Sequence, residues 1–451
     1  MSYATLTFWI FLIISLAGLS LSPARLRGIW LTIVSLWFYA SVDPMRLAWL
    51  GGVTGLTLWA AGIWHPPYAR AVRSTAIALL VMLLIWAKFS DAMGLPDPKA
   101  PPGLSFLVFT AIALIVETAR RGTAWSVPES VLHLVWFPKI LAGPIERPGD
   151  LIAQFPAIGI RPGLMGLGVA FIVTGLVKKL VIANALAPVV DAAYAIPSFA
   201  TPVDLLVATY AFAFQIYCDF SGYADLALGL SALVGLRLSR NFAQPYLSPT
   251  VTEFWAERWH ITLGRWFRDY VYIPLGGSRR GRPRQMANLM LVFLLSGIWH
   301  AGLGYGVGWG FLIWGVLNGA LVIAELWVPR PKGRLAHILR TVLTFHLILV
   351  TWVFFRAETP SDAVTILMRI SAILSDLPRI LPTYPFTPDQ RFGAVLVAML
   401  LVLEILNQPR PLAERIAQAP LPLRWAGLYI GMAALLLFGR WQDAEFIYAG
   451  F

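Results

Sequence analysis

The feature that most constrains this sequence is a succession of apolar runs that continues along the whole chain. A helix needs about 20 apolar residues to cross the hydrocarbon core of a bilayer, and several runs are shorter. We therefore expect some segments to tilt, re-enter or lie in the interface. The sequence predicts an all-α polytopic membrane protein with roughly 11–13 membrane helices plus short interfacial or re-entrant helices. The runs cover residues 3–21, 28–42, 47–64, 74–86, 104–116, 165–180, 205–217, 226–236, 289–299, 305–326, 342–355, 392–406 and 425–438.

The composition agrees with a membrane protein. Of the 451 residues, 58% are hydrophobic and 13% are charged, whereas about a quarter are charged in a soluble domain. The net charge of +12 is spread over the loops between apolar runs. This distribution indicates topology signals and attraction to anionic lipid headgroups, with no nucleic-acid partner. Cys218 is the one cysteine, so no internal disulfide is possible, and we expect a small buried hydrophobe.

Basic residues predict the orientation, because cytoplasmic loops collect Lys and Arg. The first cation, Arg25, follows the first apolar run, so we expect this run to be retained as a helix with its N-terminus outside. The loops at 278–284 and 329–334 are then cytoplasmic. The basic pairs that follow the first, third and fifth runs are Arg25 and Arg27, Arg70 and Arg73, and Arg120 and Arg121.

No internal repeat and no linker is visible, so we predict a single membrane domain over residues 1–451. Within it we predict uninterrupted N-terminal helices over residues 1–125, a central core over residues 126–325, and C-terminal helices over residues 326–451. In the core, Gly, Pro, charged and aromatic residues interrupt the apolar runs. Ionisable residues are costly at membrane depth and face a protein interior or a water-filled cavity. The core therefore predicts an intramembrane cavity.

The stretch ERWHITLGRWFRDYVYIPLGG, residues 257–277, is the most polar part of this core. Thr250 and Glu253 have the spacing of a capping box, which predicts the start of a helix. An apolar stripe then recurs at helical spacing, and Pro274 with the two glycines after it ends the pattern. We expect one amphipathic helix lying in the membrane interface with its tryptophans towards the lipid. The stripe consists of Trp255, Trp259, Leu263, Trp266 and Tyr270.

Two histidines follow tryptophans in similar surroundings. His260 has Ala256 and Gly264 four residues away on either side, and His300 follows Ser296 and Gly297. Small neighbours leave a notch around each imidazole. A buried neutral histidine is a suitable general base for a hydroxyl that attacks an activated acyl group, although a histidine satisfied by a backbone carbonyl is the plain alternative. No G-x-S-x-G nucleophile motif, HExxH or Cys-His cluster occurs, so direct transfer is favoured and no metal site is expected.

Seven segments of the chain carry a recognisable likeness: WFPKILAGPIERPGDLIAQF, YCDFSGYADLALGL, RNFAQPYLSPTVTEFWAERWHITLGRWFRDYVYIPLGG, SGIWHAG, WGVLNG, TWVFFRAETPSDA and the tail EFIYAGF. They resemble the membrane-bound O-acyltransferase (MBOAT) family, in particular its bacterial alginate O-acetyltransferase-like branch. The teichoic acid D-alanyl transferase is a more distant cousin. Two departures are the order Ala301-Gly302 after His300, where the family often has Gly-Ala, and a tail without the aromatic-glutamine ending.

The resemblance implies helices around a transmembrane funnel, with His300 as the catalytic residue and His260 as its companion. It implies a cytosolic acyl thioester, usually acetyl-CoA, as donor substrate, with no bound cofactor. The acceptor would be an extracytoplasmic hydroxyl, on a polysaccharide or reached through an SGNH-type periplasmic acyltransferase partner. The protein would lie in the bilayer of the bacterial cytoplasmic (inner) membrane.

Further residues are expected around this tunnel. Asp219 is interpreted as a group that orients a histidine or as a cap for a helix beginning at FSGYAD. Arg279 and Arg280 are expected to contact the donor phosphates, although topology explains this basic loop equally well. The tunnel-lining candidates are Asp219, Tyr223, Asn241, Trp255, Trp299 and Ser296.

The predicted function is thus a membrane O-acyltransferase, acyl-CoA-dependent, that modifies an exopolysaccharide. The alternative is a polytopic transporter or flippase, since polar groups in broken spans also line substrate pathways. Transport without an acyl donor would distinguish it. A structural scaffold would leave the cost of two buried histidines unexplained.

Overall fold

The computed structural model describes residues 3–41, 45–63, 69–301, 308–441 and 447, and every regular element in these ranges is helical. Short 3₁₀ or π turns join or extend several α-helices. The α-helices are α1 Leu6–Leu21, α2 Arg27–Ala40, α3 Met45–Leu58, α4 Ala69–Phe89, α5 Leu104–Arg121, α6 Val127–Val135, α7 Phe137–Ile140, α8 Pro148–Ile152, α9 Pro162–Leu176, α10 Asn184–Tyr194, α11 Pro202–Leu233, α12 Val251–Glu253, α13 Ile261–Phe267, α14 Arg282–His300, α15 Trp309–Ala324, α16 Arg334–Arg356, α17 Pro360–Ser371, α18 Leu377–Ile380, α19 Pro388–Asn407, α20 Leu412–Gln418 and α21 Leu421–Phe438.

The apolar runs correspond to helices, which confirms an all-α polytopic membrane protein. Within the described residues, six helices are long and apolar enough to cross a membrane, or up to seven if α19 and α20, bent by 59°, form one broken span. Other runs form shorter helices such as α1, which has 16 residues. The six are Arg70–Phe89, Pro162–Tyr194, Pro202–Leu233, Trp309–Trp327, Arg334–Arg356 and Leu421–Phe438.

One expectation about the spans was wrong. The sequence predicts separate spans at 205–217 and 226–236, but α11, a continuous helix of 32 residues that ends at Leu233, contains the first run and most of the second. The polar residues between the runs do not end the helix because they are buried in protein, where Asp219 and Ser221 have almost no exposed surface. Apolar runs mark segments that contact lipid, so they underestimate the length of a helix whose polar middle packs against protein.

The chain packs into two compact units, whose boundaries fall inside α9 and α11. Unit 1 comprises Met1–Ile172, Tyr223–Arg240 and Tyr448–Phe451, and unit 2 comprises Val173–Gly222 and Asn241–Ile447. In unit 1, α5 is buried along most of its length. The Trp136 indole donates a hydrogen bond to the Ser231 hydroxyl over 2.9 Å.

In unit 2, α14 and α15 pack closely because glycines lie at their contact. A Cβ placed on Gly297 of α14 would lie 2.6 Å from the Phe311 carbonyl oxygen of α15, and one on Gly315 of α15 would lie 2.6 Å from the Phe293 carbonyl oxygen of α14. Real side chains do not fit at this distance, and small residues are what allow helix backbones to approach so closely in membranes. This contact fixes the C-terminal part of α14, which carries His300.

We predict that Gly315→Ala lowers the thermal stability of the protein, because the added methyl group must push α14 and α15 apart. Gly55→Ala in α3 is the matched control, since a Cβ there meets nothing within 4 Å. A helix-interior Gly→Ala change without a clash gains about 0.5–1 kcal/mol. Thermal unfolding in detergent measures both variants. Equal melting temperatures for Gly315→Ala and Gly55→Ala would contradict the close contact.

Candidate active site

The polar stretch begins as a capped helix, as the sequence predicted. The Thr250 side chain accepts a hydrogen bond from the Glu253 amide over 3.0 Å. A second cap comes from elsewhere in the chain: the Glu325 carboxylate accepts from the Val251 amide at 2.7 Å and the Thr252 amide at 2.8 Å. A carboxylate at a helix N-terminus accepts hydrogen bonds from amides that have no partner within the helix. Its negative charge also interacts favourably with the positive end of the helix dipole. The first half of the stretch is therefore fixed at its start.

The single amphipathic helix expected over this stretch is broken at Trp259 and His260. Trp259 has extended backbone angles, φ −109° and ψ 124°. His260 is left-handed, with φ 43° and ψ 53°. A left-handed non-glycine residue costs about 1 to 3 kcal/mol and persists only where neighbouring contacts hold it. The period of the apolar stripe gave no sign of this break, because the residues on both sides keep helical spacing.

The tryptophans of the stripe face protein rather than lipid, which corrects the interfacial orientation expected from the sequence. Trp259 is 3% exposed and stacks on Phe254 at 5.5 Å between ring centroids. The Trp255 indole donates to the Asn318 side-chain oxygen over 3.0 Å, and its ring lies 5.3 Å from that of Trp314. An aromatic stripe at helical spacing is equally suited to a protein interior.

His260 lies in an aromatic environment. Its ring makes an edge contact with Phe220 of α11 at 4.7 Å and lies 6.4 Å from the Trp299 ring. The residue is 3% exposed and lies outside the candidate spans. Burial, and secondarily the nearby His300, lower the pKa of the His260 imidazole well below its usual value. A neutral imidazole offers one N–H donor and one acceptor nitrogen.

His300 is the last residue of α14, and its tautomer follows from its hydrogen bond. Its Nδ1 lies 2.7 Å from the Ser296 carbonyl oxygen. A carbonyl only accepts, so Nδ1 carries the proton and Nε2 is the basic nitrogen. Four aromatic rings surround the imidazole: Trp299 at 4.7 Å, Phe311 at 6.4 Å, Trp314 at 4.9 Å and Phe355 at 5.3 Å.

Both histidines line one cavity of about 350 Å³, here called the histidine cavity. One wall is a single face of α14, formed by Gln285, Leu289, Val292, Ser296 and His300. From Gln285 to His300 there are fifteen residue steps, or about 22 Å of helix at 1.5 Å per step. The facing wall comes from the broken helix, including Ala256, His260 and Gly264. The notch around His260 that the sequence predicted is therefore part of the cavity.

The cavity has a polar, exposed end and a buried end. Arg265 and Arg268 line it and are exposed, whereas His260 and His300 are buried. Tyr272 and Gln285 complete the polar end. Sequence reasoning missed these arginines because they fell off the apolar stripe. The face of α14 was readable, since steps of four, three, four and four from Gln285 to His300 follow the helical period.

The remaining predicted residues have several different environments. Trp255 and Ser296 line the cavity. Trp299 is outside that set, and its ring contacts both imidazoles. Arg279 and Arg280 are exposed on the turn before α14 and are also outside the set.

Asn241 and Tyr223 are held by other contacts. The Asn241 Oδ1 accepts from the Thr262 hydroxyl and amide. Tyr223 belongs to unit 1, where its hydroxyl donates to the Pro138 carbonyl over 3.0 Å and accepts from the Tyr3 hydroxyl over 3.2 Å. Neither residue is part of the cavity wall.

Asp219 has neither of the roles suggested from the sequence. It lies in the middle of α11, so it caps no helix start. Its carboxylate forms a buried ion pair with Lys179 and accepts a hydrogen bond from the Ile447 amide over 2.8 Å. Lys179 lies in a π-helical turn, Val177–Ala183. Such pairing is how ionisable side chains are tolerated at membrane depth.

Some predictions fall outside the described residues. Gly302 after His300 is one, and most of the tail EFIYAGF is another. In the ranges that the structure describes, no three His, Cys, Asp or Glu side chains come together as a metal site would require.

The chain belongs to the membrane-bound O-acyltransferase family, whose model matches residues 52–354. A probable alginate O-acetylase of Azotobacter vinelandii is 35% identical over 377 residues, covering 78% of this chain and 74% of the relative. The corresponding protein of Pseudomonas aeruginosa is 34% identical over 377 residues, covering 78% and 71%. The resemblance to the alginate O-acetyltransferase-like branch is confirmed.

Two less similar relatives are named for other polymers, peptidoglycan and teichoic acid. A peptidoglycan O-acetyltransferase of Helicobacter pylori is 29% identical over 391 residues, covering 75% of this chain and 72% of the relative. A teichoic acid D-alanyltransferase of Bacillus subtilis is 25% identical over 310 residues, covering 63% and 77%.

We predict that Lys179→Met alone destabilises the protein strongly, because it leaves the Asp219 carboxylate buried without its cation. Breaking a buried pair from one side costs about 3–5 kcal/mol, whereas neutralising both partners costs far less. The double variant Lys179→Met/Asp219→Asn should therefore recover most of the stability, measured as melting temperature and yield of monodisperse protein. A double variant no better than Lys179→Met would contradict the buried pair.

Proposed function

We propose that this protein is a membrane O-acyltransferase that moves an acyl group, in particular acetyl, from a cytosolic thioester to an extracytoplasmic hydroxyl. The observation that carries the proposal is the histidine cavity, with arginines at one end and two buried histidines at the other. Family membership supports the reaction class. The assignment of His300 as general base and of acetyl-CoA as donor is our own.

The polar end of the cavity suits a nucleotide-bearing donor. Arginine binds phosphate through paired, charge-assisted hydrogen bonds. Arg268 also pairs with Asp269 at 2.8 Å, while Arg265 lies one turn earlier on the same face. The α14 wall between the arginines and His300 is mostly apolar, as the flexible arm of an acyl thioester requires. We place the donor phosphates at Arg265 and Arg268 rather than at Arg279 and Arg280.

The chemistry follows from the tautomer of His300. Its Nε2 accepts the proton of the acceptor hydroxyl as the oxygen attacks the thioester carbonyl carbon, forming a tetrahedral adduct. The carbon–sulfur bond then breaks, and the proton passes from Nε2 to the departing thiolate. The Ser296 carbonyl holds the Nδ1–H side of the ring and stabilises the imidazolium that forms. Neutral His260 supplies an N–H for the developing oxyanion.

The surroundings of His300 favour a short acyl group. Phe311, Trp314 and Phe355 lie within 6.4 Å of the imidazole, centroid to centroid. Large rigid rings leave little room for a long chain next to the reacting carbonyl. The rings around His300 and the names of the O-acetylating relatives support acetyl as the transferred acyl group.

The acceptor side is inferred from the family and the charge pattern. We place the protein in the bacterial cytoplasmic (inner) membrane, with its N-terminus outside and its basic loops inside. The arginine end of the cavity lies next to the basic turn before α14, which is consistent with a cytosolic donor. The acceptor is an extracytoplasmic polysaccharide, reached directly or through an SGNH-type periplasmic acyltransferase. A relative named as an alginate O-acetylase supports a polysaccharide.

We predict that His300→Ala lowers acyl transfer by about 10²- to 10⁴-fold, the usual contribution of a general base, while the protein stays folded. The assay supplies acetyl-labelled CoA to inverted membrane vesicles from expressing cells and measures label released from CoA. His337→Ala, an exposed histidine on α16, is the control. Equal turnover by His300→Ala and wild type would overturn the assignment.

We predict that Arg265→Gln and Arg268→Gln each raise the KM for acetyl-CoA by about tenfold, since a hydrogen bond to a charged group contributes about 1.5–3 kcal/mol. Arg279→Gln and Arg280→Gln are the matched controls, because these residues lie outside the cavity wall. The same vesicle assay over a range of donor concentrations separates KM from kcat. A larger effect from the Arg279 and Arg280 variants would move the phosphate site to the turn.

A further inference from the structure

Asn241 is buried next to the break in the polar stretch, and its hydrogen bonds converge on the residues that follow His260. Its backbone carbonyl accepts from the Ile261 amide at 3.0 Å. Its Oδ1 accepts from the Thr262 hydroxyl at 2.6 Å and from the Thr262 amide at 3.2 Å. The residue is 1% exposed. It therefore contacts the chain beside His260 without lining the cavity.

We infer that Asn241 is a positioning residue, which holds His260 in its left-handed conformation and so directs the imidazole into the histidine cavity. The inference rests on the proposed function, because it assigns Asn241 a part in acyl transfer through His260. It differs from a tunnel-lining role, in which the asparagine would touch substrate itself.

Asn241 caps the helix that follows His260. His260 occupies the N-cap position of α13, but its side chain makes no capping hydrogen bond. A helix start without a capping side chain loses stability. Asn241 supplies the missing acceptor from a distant part of the chain. The imidazole is thereby relieved of the capping role that a side chain at this position ordinarily has.

Hydrogen bonds hold the chain before and after His260. Before His260, the Ala243 amide donates to the Arg258 carbonyl over 3.0 Å, and the Arg258 guanidinium donates to the Ala243 carbonyl over 3.2 Å. After His260, Asn241 holds the next two residues. A strained residue persists where its neighbours over-determine it, and residues 241–243 fix the chain on both sides of His260.

The break changes the direction in which the His260 side chain points. In a continuous helix, His260 would follow Trp259 by the regular turn of about 100°. With the break, Trp259 stacks on Phe254 and His260 contacts Phe220, and both residues line the cavity. Loss of the Asn241 acceptor lets the chain relax towards regular helix and turns the imidazole away.

The experiment compares Asn241→Ala with Thr262→Val and Thr262→Ser in the vesicle assay, with rates normalised to folded protein. Thr262→Val removes the hydroxyl donor at nearly constant shape, and Thr262→Ser restores it. Thr250→Ala, which removes the cap of α12, is the control for stability alone. We expect Asn241→Ala and Thr262→Val to lower kcat about 10- to 100-fold, as a misplaced catalytic group does, with donor KM within about twofold.

A double variant separates positioning from plain stability. In a His260→Ala background, Asn241→Ala should cause no further loss of kcat, because its effect passes through the missing imidazole. Thr262→Ser should recover the activity lost in Thr262→Val, and Thr250→Ala should lower the melting temperature but not kcat.

Two outcomes would overturn the inference. One is a normal kcat per folded molecule for Asn241→Ala, and the other is a further, multiplicative loss in the His260→Ala background. Failure of the proposed function itself looks different, since wild type and His300→Ala would then release label equally.

Discussion

The geometry of the histidine cavity depends on one break in a helix. Residues 251–272 have the composition of a continuous amphipathic helix, yet the chain is extended at Trp259 and left-handed at His260. The cost, about 1 to 3 kcal/mol for the left-handed residue, is met by hydrogen bonds from residues 241–243 and by two external helix caps, Glu325 and Asn241. The break sets the orientation in which Trp259 stacks on Phe254 and His260 contacts Phe220, with both residues lining the cavity.

The geometry of the cavity also depends on α14, the helix that faces the break. α14 contributes one face to the whole length of the histidine cavity, from Gln285 at the exposed end to His300 at the buried end. Its position is fixed by Gly297 and Gly315, where backbones of α14 and α15 meet without side chains between them. In the proposed reaction, this geometry keeps the donor phosphates at a fixed distance from the thioester carbonyl. Binding energy at the phosphates can then orient the carbonyl for reaction.

Charged groups outside the cavity follow the same physical rule as those within it. Lys179 and Asp219 are buried in long helices and neutralise one another, while Tyr217 donates a hydrogen bond to Glu404 of α19. An unpaired ion in such surroundings would be far more costly. The polar residues of the core are thus divided between structural pairs and the cavity, a division that composition does not reveal.

The sequence predicted the fold class and singled out both histidines, because apolar periodicity and small neighbours are local properties. It could not predict the break at His260, since Asn241 acts across nineteen positions of chain through a hydrogen bond that leaves no periodic signal. Asp219 was misassigned for a similar reason: its partner Lys179 lies on another helix. Arg265 and Arg268 lie outside the apolar stripe, so its period gave no sign of their place in the cavity wall. The sequence predicted two spans in place of α11 because the buried polar centre of this helix resembles a loop.

The central claim, that the histidine cavity is the donor channel and ends at His300, is tested most directly by a cryo-EM structure in lipid nanodiscs. The ligand is an acetyl-CoA analogue with the thioester sulfur replaced by methylene. We expect its phosphates beside Arg265 and Arg268, its arm along the Leu289 and Val292 face of α14, and its carbonyl next to His300. An analogue bound elsewhere, with the cavity walls unchanged and the cavity unoccupied, would contradict the account.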